Sequence, residues 1–394
     1  MRSSPIQRPV SKRLNPLLEI TAAALLCTAT LLATPALGYA KAPALKPGQA
    51  ALVSSGGTVT RDRLLPGHAI RSSHPHAALS SRCPTGTVVQ NGVRWKGGLY
   101  AVSSSGSPVS VCVYTSAAFT YSAAVNSDWA TFFASLPHGS EITQLTVYIA
   151  PISQITAGYL CGPMADSCYD PGLGAMYLTG ETPPDGANIQ QIAAHEYGHH
   201  IASWRLNTPW DALNNGPKHW ATSAAVCDQT RKKKMFPGDE GAHYEDNPSE
   251  IWAETYRVYA TSVIGTVLDP WEILSPQWEP VAANLTAAAA DTLRPWLKQQ
   301  KKTLTGHLGS SGSQKYVTSI PFPLDGRLDA TGSVKSSLRI KVAVQSSSGA
   351  YLTASSSLSS RASVNVCSSP TAKVTVTRLS GSGTWTLQLQ SPGS

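Results

Sequence analysis

The sequence His195-Glu196-Tyr197-Gly198-His199 constrains this chain more than any other stretch. Two histidines four positions apart lie on one face of an α-helix, because the helix repeats about every 3.6 residues, and together they can hold one metal ion. Glu196 projects beside that face, where a carboxylate can take a proton from a metal-bound water molecule. The stretch therefore predicts a zinc-binding helix with Glu196 as the general base.

The flanking residues favour a helix over the stretch from Gln190 to Trp204. Asn188 is a typical N-cap residue, and Gln191 stands where the partner in a capping box would stand. His200 lies about 100° from His199 around the helix and is predicted to be a buried structural residue. Apolar side chains recur along the side opposite the two predicted ligands, and these are Ile189, Ala193, Tyr197 and Trp204.

A catalytic zinc site needs a third protein ligand and an open position for water. The extended pattern HExxHxxGxxH would supply that ligand from the same helix, but Ala202 and Arg205 occupy its glycine and final histidine positions. A second helix is predicted to start at Asn247, a typical N-cap residue, followed by Pro248 in the first turn. We therefore expect the third ligand to come from this second helix.

Two glutamates of the second helix, Glu250 and Glu254, are four positions apart and share one face. We predict that Glu250 is the third zinc ligand and that Glu254 hydrogen-bonds a ligating imidazole and fixes its tautomer. The alternative is that Glu250 only completes a capping box at the start of the helix. Tyr244 and His243 are candidates for a hydrogen-bond donor to the transition-state oxyanion, and His243 is also an alternative third ligand.

Three segments of the chain together resemble a family of bacterial neutral zinc metallopeptidases with a gluzincin-like HExxH site. They are the run AAHEYGHHIASW, the later EIWAE and the earlier TAGYLCGPMADSCYDPGLGAMYLTG. The resemblance covers roughly residues 125 to 265 and implies an α+β, zincin-like metallopeptidase core.

The resemblance also implies roles for individual residues. Zinc would be bound by His195, His199 and Glu250, with Glu196 catalytic. The family has an ELQAD-type start to its second helix where this chain has EIWAE, so Glu254 stands in place of an aspartate and is one methylene longer.

Residues 175–179, after the loop that contains Cys161 and Cys168, are predicted to form a strand immediately before the metal helix. An edge strand beside a zinc site can pair with an extended peptide. Ala175, Met176 and Tyr177 are therefore the predicted substrate strand, and an ordinary sheet strand is the alternative. Further upstream, the sequence predicts a helix over 127–136 and a strand over 145–150.

Six of the seven cysteines remain once the N-terminal segment with Cys27 is set aside. An even number of cysteines in an exported chain predicts disulfide bonds, although six cysteines allow about 15 pairings. Zinc ligation by cysteine is the alternative, but the sequence contains no CxxC. The family resemblance favours a bond between Cys161 and Cys168; Cys83 with Cys112 is the second expected pair, which leaves Cys227 and Cys367.

The N-terminal residues 1–40 are predicted to be a signal peptide, because a basic start precedes an apolar stretch that is short for a membrane span. We therefore expect a secreted protein, with an uncleaved membrane anchor as the alternative. Residues 41–120 are rich in Ser, Gly and Pro and contain short β-type runs. A propeptide, a small β module and an N-terminal part of the catalytic domain are the interpretations left open.

The remaining chain is predicted to divide into a metallopeptidase domain over 121–305, a linker over 306–314 and a C-terminal domain over 315–394. An Ala-rich helix is expected over 283–302. Beyond the linker, apolar and polar residues alternate, which predicts an all-β sandwich resembling the pre-peptidase C-terminal domains of secreted bacterial proteases. Its inward-facing residues are predicted to include Leu338, Ile340, Val342, Val344, Trp385, Leu387 and Leu389.

The formal net charge of +8 does not indicate a nucleic-acid partner, because the basic residues are dispersed and acidic residues follow the one cluster at 231–234. The sequence therefore predicts an exported zinc metallopeptidase with protein or peptide substrates. Cell-wall or surface contact through the C-terminal domain is a further expectation. The alternatives are a non-catalytic surface-binding protein and a zinc hydrolase of a non-protein substrate.

Overall fold

The computed structural model describes residues 61–64, 83–104, 107–157, 160–163, 165–183, 186–266, 275–312, 314–335, 337–346, 351–352 and 361–393. The predicted signal peptide, residues 1–40, lies outside the described residues. Within the described ranges, no helix has both the length and the apolar character needed to cross a membrane.

A seven-stranded mixed sheet underlies the N-terminal half of the described chain, in the order β1-β6-β7-β5-β4-β3-β2. Strands β2 to β4 form an antiparallel meander, and β5 runs parallel to both β4 and β7. Strand β6 is antiparallel to β7 and parallel to β1. The strands are β1 (Arg61–Leu64), β2 (Gly86–Gln90), β3 (Val93–Ser104), β4 (Ser107–Ser116), β5 (Thr146–Ala150), β6 (Ala165–Asp170) and β7 (Ala175–Thr179).

The meander β2–β4 shows that residues 86–116 belong to the same sheet as the strand before the metal helix. Strand β4 pairs with β5 from Cys112 opposite Thr146 to Thr115 opposite Ile149. A disulfide joins Cys83, just before the meander, to Cys112. Residues 86–116 therefore belong to the same seven-stranded sheet as residues 146–150 and 175–179, and the predicted boundary at residue 120 does not divide this sheet.

Strand β7 lies inside the sheet, so the prediction that it is an edge strand is wrong. Its residues Ala175, Met176 and Tyr177 are buried, and the strand pairs with β5 on one side and β6 on the other. The reason is a tight turn after β6, in which Asp170 Oδ1 accepts hydrogen bonds from the backbone of Gly172 and Leu173. The chain thus doubles back, and β6 covers the edge that a substrate peptide would need.

One face of the sheet carries the main hydrophobic core with helices α1, α3 and α7, and the other face carries a smaller, aromatic cluster. The predicted helix over 127–136 starts earlier, at Ala123, because the Ser122 side chain caps it. The helices are α1 (Ala123–Ser135), α2 (Ile152–Ile155), α3 (Ile189–Ser203), α4 (Ala212–Asn215), α5 (Lys218–Ser223), α6 (Val226–Arg231), α7 (Pro248–Ile264) and α8 (Ala282–Leu293), with 3-10 turns at Ser140–Gln144, Tyr244–Asp246 and Pro276–Trp278.

Helices α3 and α7 pack against each other at Gly198. A Cβ atom at this position would lie 2.7 Å from Ala253 Cα, a separation that packed atoms do not adopt. The Trp252 indole donates a hydrogen bond of 2.7 Å to the Gly198 carbonyl oxygen across the same contact. The absence of a side chain at position 198 therefore sets how closely the two helices approach.

The C-terminal region is all-β and consists of two antiparallel four-stranded sheets, ordered β13-β10-β15-β8 and β12-β11-β14-β9. Both sheets contribute to one hydrophobic core, which contains every inward-facing residue that the alternation predicted. The chain is therefore α+β overall, as expected. The strands are β8 (Gln300–Leu308), β9 (Lys315–Pro321), β10 (Gly326–Val334), β11 (Arg339–Ser346), β12 (Tyr351–Leu352), β13 (Arg361–Val366), β14 (Thr371–Ser380) and β15 (Gly383–Ser391).

Two predictions around residue 300 are wrong. The helix expected over 283–302 ends at Leu293, because Pro295 disfavours helical geometry at the residue before it. Residues 300–308 form β8, paired with β15, so the predicted linker over 306–314 begins inside a strand. In the sequence, Gly306 favoured a flexible linker. In the structure it leaves space for the Trp385 ring, because a Cβ atom at position 306 would lie 2.5 Å from Trp385 Cζ2.

Covalent and polar contacts attach the C-terminal sheets to the helical region. A disulfide joins Cys227 to Cys367, and together with Cys161–Cys168 and Cys83–Cys112 it confirms the three expected pairings. Lys218 Nζ, buried beside two tryptophan rings, donates 2.8 Å hydrogen bonds to the carbonyl oxygens of Thr208 and Asp325. Burial lowers the pKa of this lysine to about 7.

Replacing Gly198 with alanine is expected to lower the free energy of unfolding by about 1–3 kcal/mol, because the new methyl group overpacks against Ala253. Helix propensity alone predicts the opposite, since alanine is favoured over glycine by about 1 kcal/mol within a helix. Urea unfolding in the presence of EDTA measures the effect without bound metal. Gly241→Ala, in an exposed loop, is the matched control, and a Gly198→Ala protein as stable as this control would contradict the close contact.

Candidate metal centre

Helix α3 places His195 and His199 on one buried face. Its first turn is fixed by Asn188, whose side chain accepts a 2.9 Å hydrogen bond from the Gln190 backbone, as the sequence predicts. Gln191 does not complete a capping box; its side chain accepts a hydrogen bond from an arginine of α7. The two imidazole rings lie 5.1 Å apart between their centroids, and both are almost fully buried.

Helix α7 brings Glu250 to the two histidines. Asn247 caps this helix by accepting a 3.1 Å hydrogen bond from the Ser249 backbone, and Pro248 occupies its first turn. Glu250 Oε2 lies 3.2 Å from His195 Nε2 and 3.4 Å from His199 Nε2. The side chain of Glu250 therefore faces the histidines, and the capping-box alternative does not describe its contacts.

The donor atoms of His195, His199 and Glu250 all lie within 4.8 Å of one another and could hold one metal ion. Among the residues that the structure describes, neither His199 Nε2 nor Glu250 Oε1 has a hydrogen-bond partner, although both atoms are buried. Unsatisfied buried polar atoms are costly in a folded protein unless something binds them. Two imidazole nitrogens and one carboxylate fit the donor set of a catalytic zinc site.

The charges around this group also favour a divalent cation. Glu196, Glu250 and Glu254 are buried together with a single guanidinium, that of Arg257. Three carboxylates against one guanidinium leave an excess of negative charge among these buried residues, which a divalent cation would balance. Burial raises the pKa of Glu250, but the facing imidazoles outweigh that effect and hold it well below its ordinary value.

Glu254 lies behind His195, where the sequence prediction puts it. Its Oε2 is 3.1 Å from His195 Nδ1 and accepts a 2.7 Å hydrogen bond from Arg257 Nε. Burial raises the pKa of Glu254, while hydrogen bonds from His195 and Arg257 bring it below its ordinary value. A carboxylate at Nδ1 selects the tautomer in which His195 Nε2 carries the free lone pair, which a metal requires.

Glu196 lies in the same buried region, next to strand β6. Its Oε1 accepts a 2.5 Å hydrogen bond from Ser167 Oγ of that strand, and the glutamate is fully buried. The hydroxyl group ties the predicted general base to the sheet. This contact fixes one oxygen of the carboxylate and so restricts the direction of the other.

Tyr244 lies beside a predicted ligand. Its hydroxyl group donates a 3.1 Å hydrogen bond to Glu250 Oε2, and the residue is buried. His243 is exposed and stacks on Phe236, with ring centroids 3.7 Å apart. The structure therefore places His243 outside the His195–His199–Glu250 group, and the role of Tyr244 as an oxyanion donor stays a prediction.

His200 is the buried structural residue that the sequence predicts. Its two ring nitrogens lie 3.1 Å from the Tyr169 hydroxyl and 2.9 Å from the Glu141 carbonyl oxygen. Burial lowers its pKa to about 4, so the ring is neutral at physiological pH. Its contacts join α3 to β6 and to the 3-10 turn that contains Glu141.

Sequence reasoning missed three contacts of this centre. Ser249 Oγ lies 3.4 Å from His199 Nδ1, and Ser167 contacts Glu196 from a strand 29 positions earlier. Arg257 was detectable, because it follows Glu254 by three positions and such pairs lie on one face of a helix. Ser167 had no comparable signal, since nothing local in the sequence links it to Glu196.

Comparisons with known proteins add little to this geometry. No protein-family model matches the chain, and no curated protein matches it. Among solved structures, the chain is similar to the pre-peptidase C-terminal domain of collagenase from Bacillus anthracis, with 18% sequence identity and a TM-score of 0.19. That match covers 23% of this chain and 88% of that chain, and at this TM-score it carries no argument about function.

Proposed function

We propose that this chain is an exported zinc-dependent metallopeptidase with a zincin-like core. The observation that carries the proposal is the buried group of His195, His199 and Glu250, with Glu196 adjacent to it on the same helix. Two of these residues come from α3 and Glu250 comes from α7, so the group is a product of the fold. The presence of Glu196 favours a catalytic site over a purely structural one, because a structural site needs no base.

The protein residues have distinct tasks in this proposal. His195, His199 and Glu250 would hold the zinc ion, which when bound lowers the pKa of a water ligand and polarises a peptide carbonyl. Glu196 accepts the proton of the attacking water and returns it to the leaving amine. Tyr244 sits against Glu250 and is the candidate donor to the developing oxyanion.

Ser167 and Glu254 position these groups without touching substrate. Ser167 holds one oxygen of Glu196, so the carboxylate does not have to reorient as it takes up the proton. Glu254 holds His195 in the ligating tautomer, and Arg257 holds Glu254 in turn. The contact with Ser167 thus supports the base, and the contacts of Glu254 support the metal.

Export is proposed from the disulfide bonds. The three bridges join Cys83, just before β2, to β4, the loop before β6 to β6 itself, and α6 to the C-terminal region. Such bonds persist in oxidising compartments and are rare in the cytosol. The proposed substrates are therefore extracellular proteins or peptides, and contact with the cell wall through the C-terminal sheets remains part of the proposal.

Replacement of Glu196 by glutamine tests the proposal as a whole. We expect the unchanged protein to bind one zinc ion per chain and to hydrolyse casein, and the Glu196→Gln protein to bind zinc but lose activity by a factor on the order of 10³. Metal analysis and a casein assay measure both properties on the same preparations. A chain without zinc would contradict the metal site. Zinc binding without hydrolysis of any protein would contradict the peptidase activity.

Replacement of Glu254 by glutamine is expected to weaken zinc affinity by about 10- to 100-fold, because His195 loses the carboxylate that fixes its tautomer. The change keeps the size of the side chain, so the helix packing is undisturbed. Competition with a chromophoric chelator gives the dissociation constant. An unchanged zinc affinity would show that the contact with His195 does not support the metal.

Ser167→Ala is the matched counterpart, since it removes the hydrogen bond that Glu196 accepts from this serine. We expect kcat to fall by about 10-fold, with zinc affinity unchanged, because Glu196 is less well oriented. Steady-state kinetics on a peptide substrate together with the chelator assay separate the two effects. Loss of zinc from the Ser167→Ala protein would show that the serine supports the whole site and not Glu196 alone.

A further inference from the structure

Strand β1 pairs with β6 at the end of the sheet nearest the candidate metal centre. Its four residues run parallel to β6, with Arg61 opposite Ala165, Arg63 opposite Cys168 and Leu64 opposite Tyr169. Strand β1 is the terminal strand in the sheet order. The backbone groups along the outer edge of β6 are thus engaged by a segment of the same chain.

The part of β6 that β1 covers is also the part that contacts the general base. Ser167, between the paired positions 165 and 168, donates the hydrogen bond to Glu196 Oε1. A peptide whose carbonyl group is to lie within reach of Glu196 and the three ligands would run beside this strand. A strand edge offers main-chain hydrogen bonds to an extended peptide, which is a common form of peptide recognition.

A strand edge can pair with only one partner at a time. We propose that Arg61–Leu64 occupy the substrate edge of β6 and compete with an extended peptide substrate, so that the chain restrains its own activity. This inference rests on the proposed peptidase function, because it assumes that the substrate approaches Glu196. It places the substrate edge on β6, whereas the sequence predicted β7 as the substrate strand.

The remaining sheet does not need β1 for its integrity. Strand β6 is still paired with β7 from Ser167 to Asp170, and a disulfide joins Cys168 to Cys161 in the preceding loop. Strands β2 to β4 differ in this respect, because their meander continues the sheet from β5. Release of β1 therefore exposes an edge without dismantling the site.

The length of the connection determines how strongly β1 competes. Eighteen residues, 65–82, separate β1 from Cys83, which is bonded to Cys112 of β4. Because β1 belongs to the same chain as β6, their pairing is intramolecular, and a free peptide competes with it only at a high concentration. Four residues form few hydrogen bonds, so concentrated substrate would displace β1. We therefore expect pairing of β1 with β6 to raise the KM for a peptide substrate, relative to a protein in which β1 is not paired, and to leave kcat unchanged.

The test compares two double variants of the full exported chain. In the proline variant, Asp62 and Arg63 are both replaced by proline, which removes two backbone N–H groups. In the alanine variant, both are replaced by alanine, which changes the same side chains and keeps those groups. Both are made with and without Glu196→Gln. The probe is a fluorescein-labelled synthetic peptide with the sequence of residues 60–65, and its binding to the Glu196→Gln proteins is followed by fluorescence anisotropy.

We expect the proline variant to bind the labelled peptide at least about 10-fold more tightly than a protein with unchanged residues 61–64 does. The alanine variant should bind the peptide with the same affinity as that unchanged protein. With Glu196 intact, the proline variant should show a KM for a peptide substrate lowered by a similar factor and the same kcat. If both variants bind the peptide more tightly, the side chains at positions 62 and 63 also contribute to the pairing of β1 with β6, and the inference stands.

Two other outcomes separate this inference from the proposed function. Tighter peptide binding by the proline variant, with no hydrolysis by any form of the protein, would support occupation of the β6 edge and overturn the peptidase activity. Equal peptide binding by all forms would overturn the inference, whatever their activity. Full zinc content in each variant verifies that the metal centre is intact.

Discussion

The close approach of α3 and α7 is the contact on which the candidate centre depends. It is possible because position 198 has no side chain, and a Cβ atom there would lie 2.7 Å from Ala253 Cα. The contact brings Glu250 to His195 although the two residues are 55 positions apart. A small increase in the separation of the helices would pull the carboxylate away from both imidazoles. The grouping of these side chains is therefore a consequence of helix packing.

The same packing buries several charged groups, and their arrangement explains why the site is stable. An isolated buried carboxylate is costly, but Glu254 is paired with Arg257 and with His195, and Glu196 accepts a short hydrogen bond from Ser167. The excess negative charge remains at Glu196 and at Glu250, which lies beside the imidazole nitrogens. The group of His195, His199 and Glu250 could hold a divalent cation that balances this charge.

Strand pairing decides which edge of the sheet lies beside the candidate centre. Strand β7 is fully paired and presents no free edge, while β6 lies between the rest of the sheet and the four residues of β1. The Cys161–Cys168 bridge and the turn at Asp170 hold β6 in place independently of β1. The C-terminal sheets are attached through Cys227–Cys367 and Lys218.

The sequence by itself determined the parts that depend on local spacing. The helical positions of His195 and His199, the caps at Asn188 and Asn247 and the alternation in the C-terminal strands all follow from periodicity and short-range hydrogen bonding. Only the tertiary structure decided which strand covers the sheet edge, that Gly306 belongs to a strand, and that Ser167 reaches Glu196. These features depend on contacts between residues distant in the chain, and no local pattern encodes such contacts.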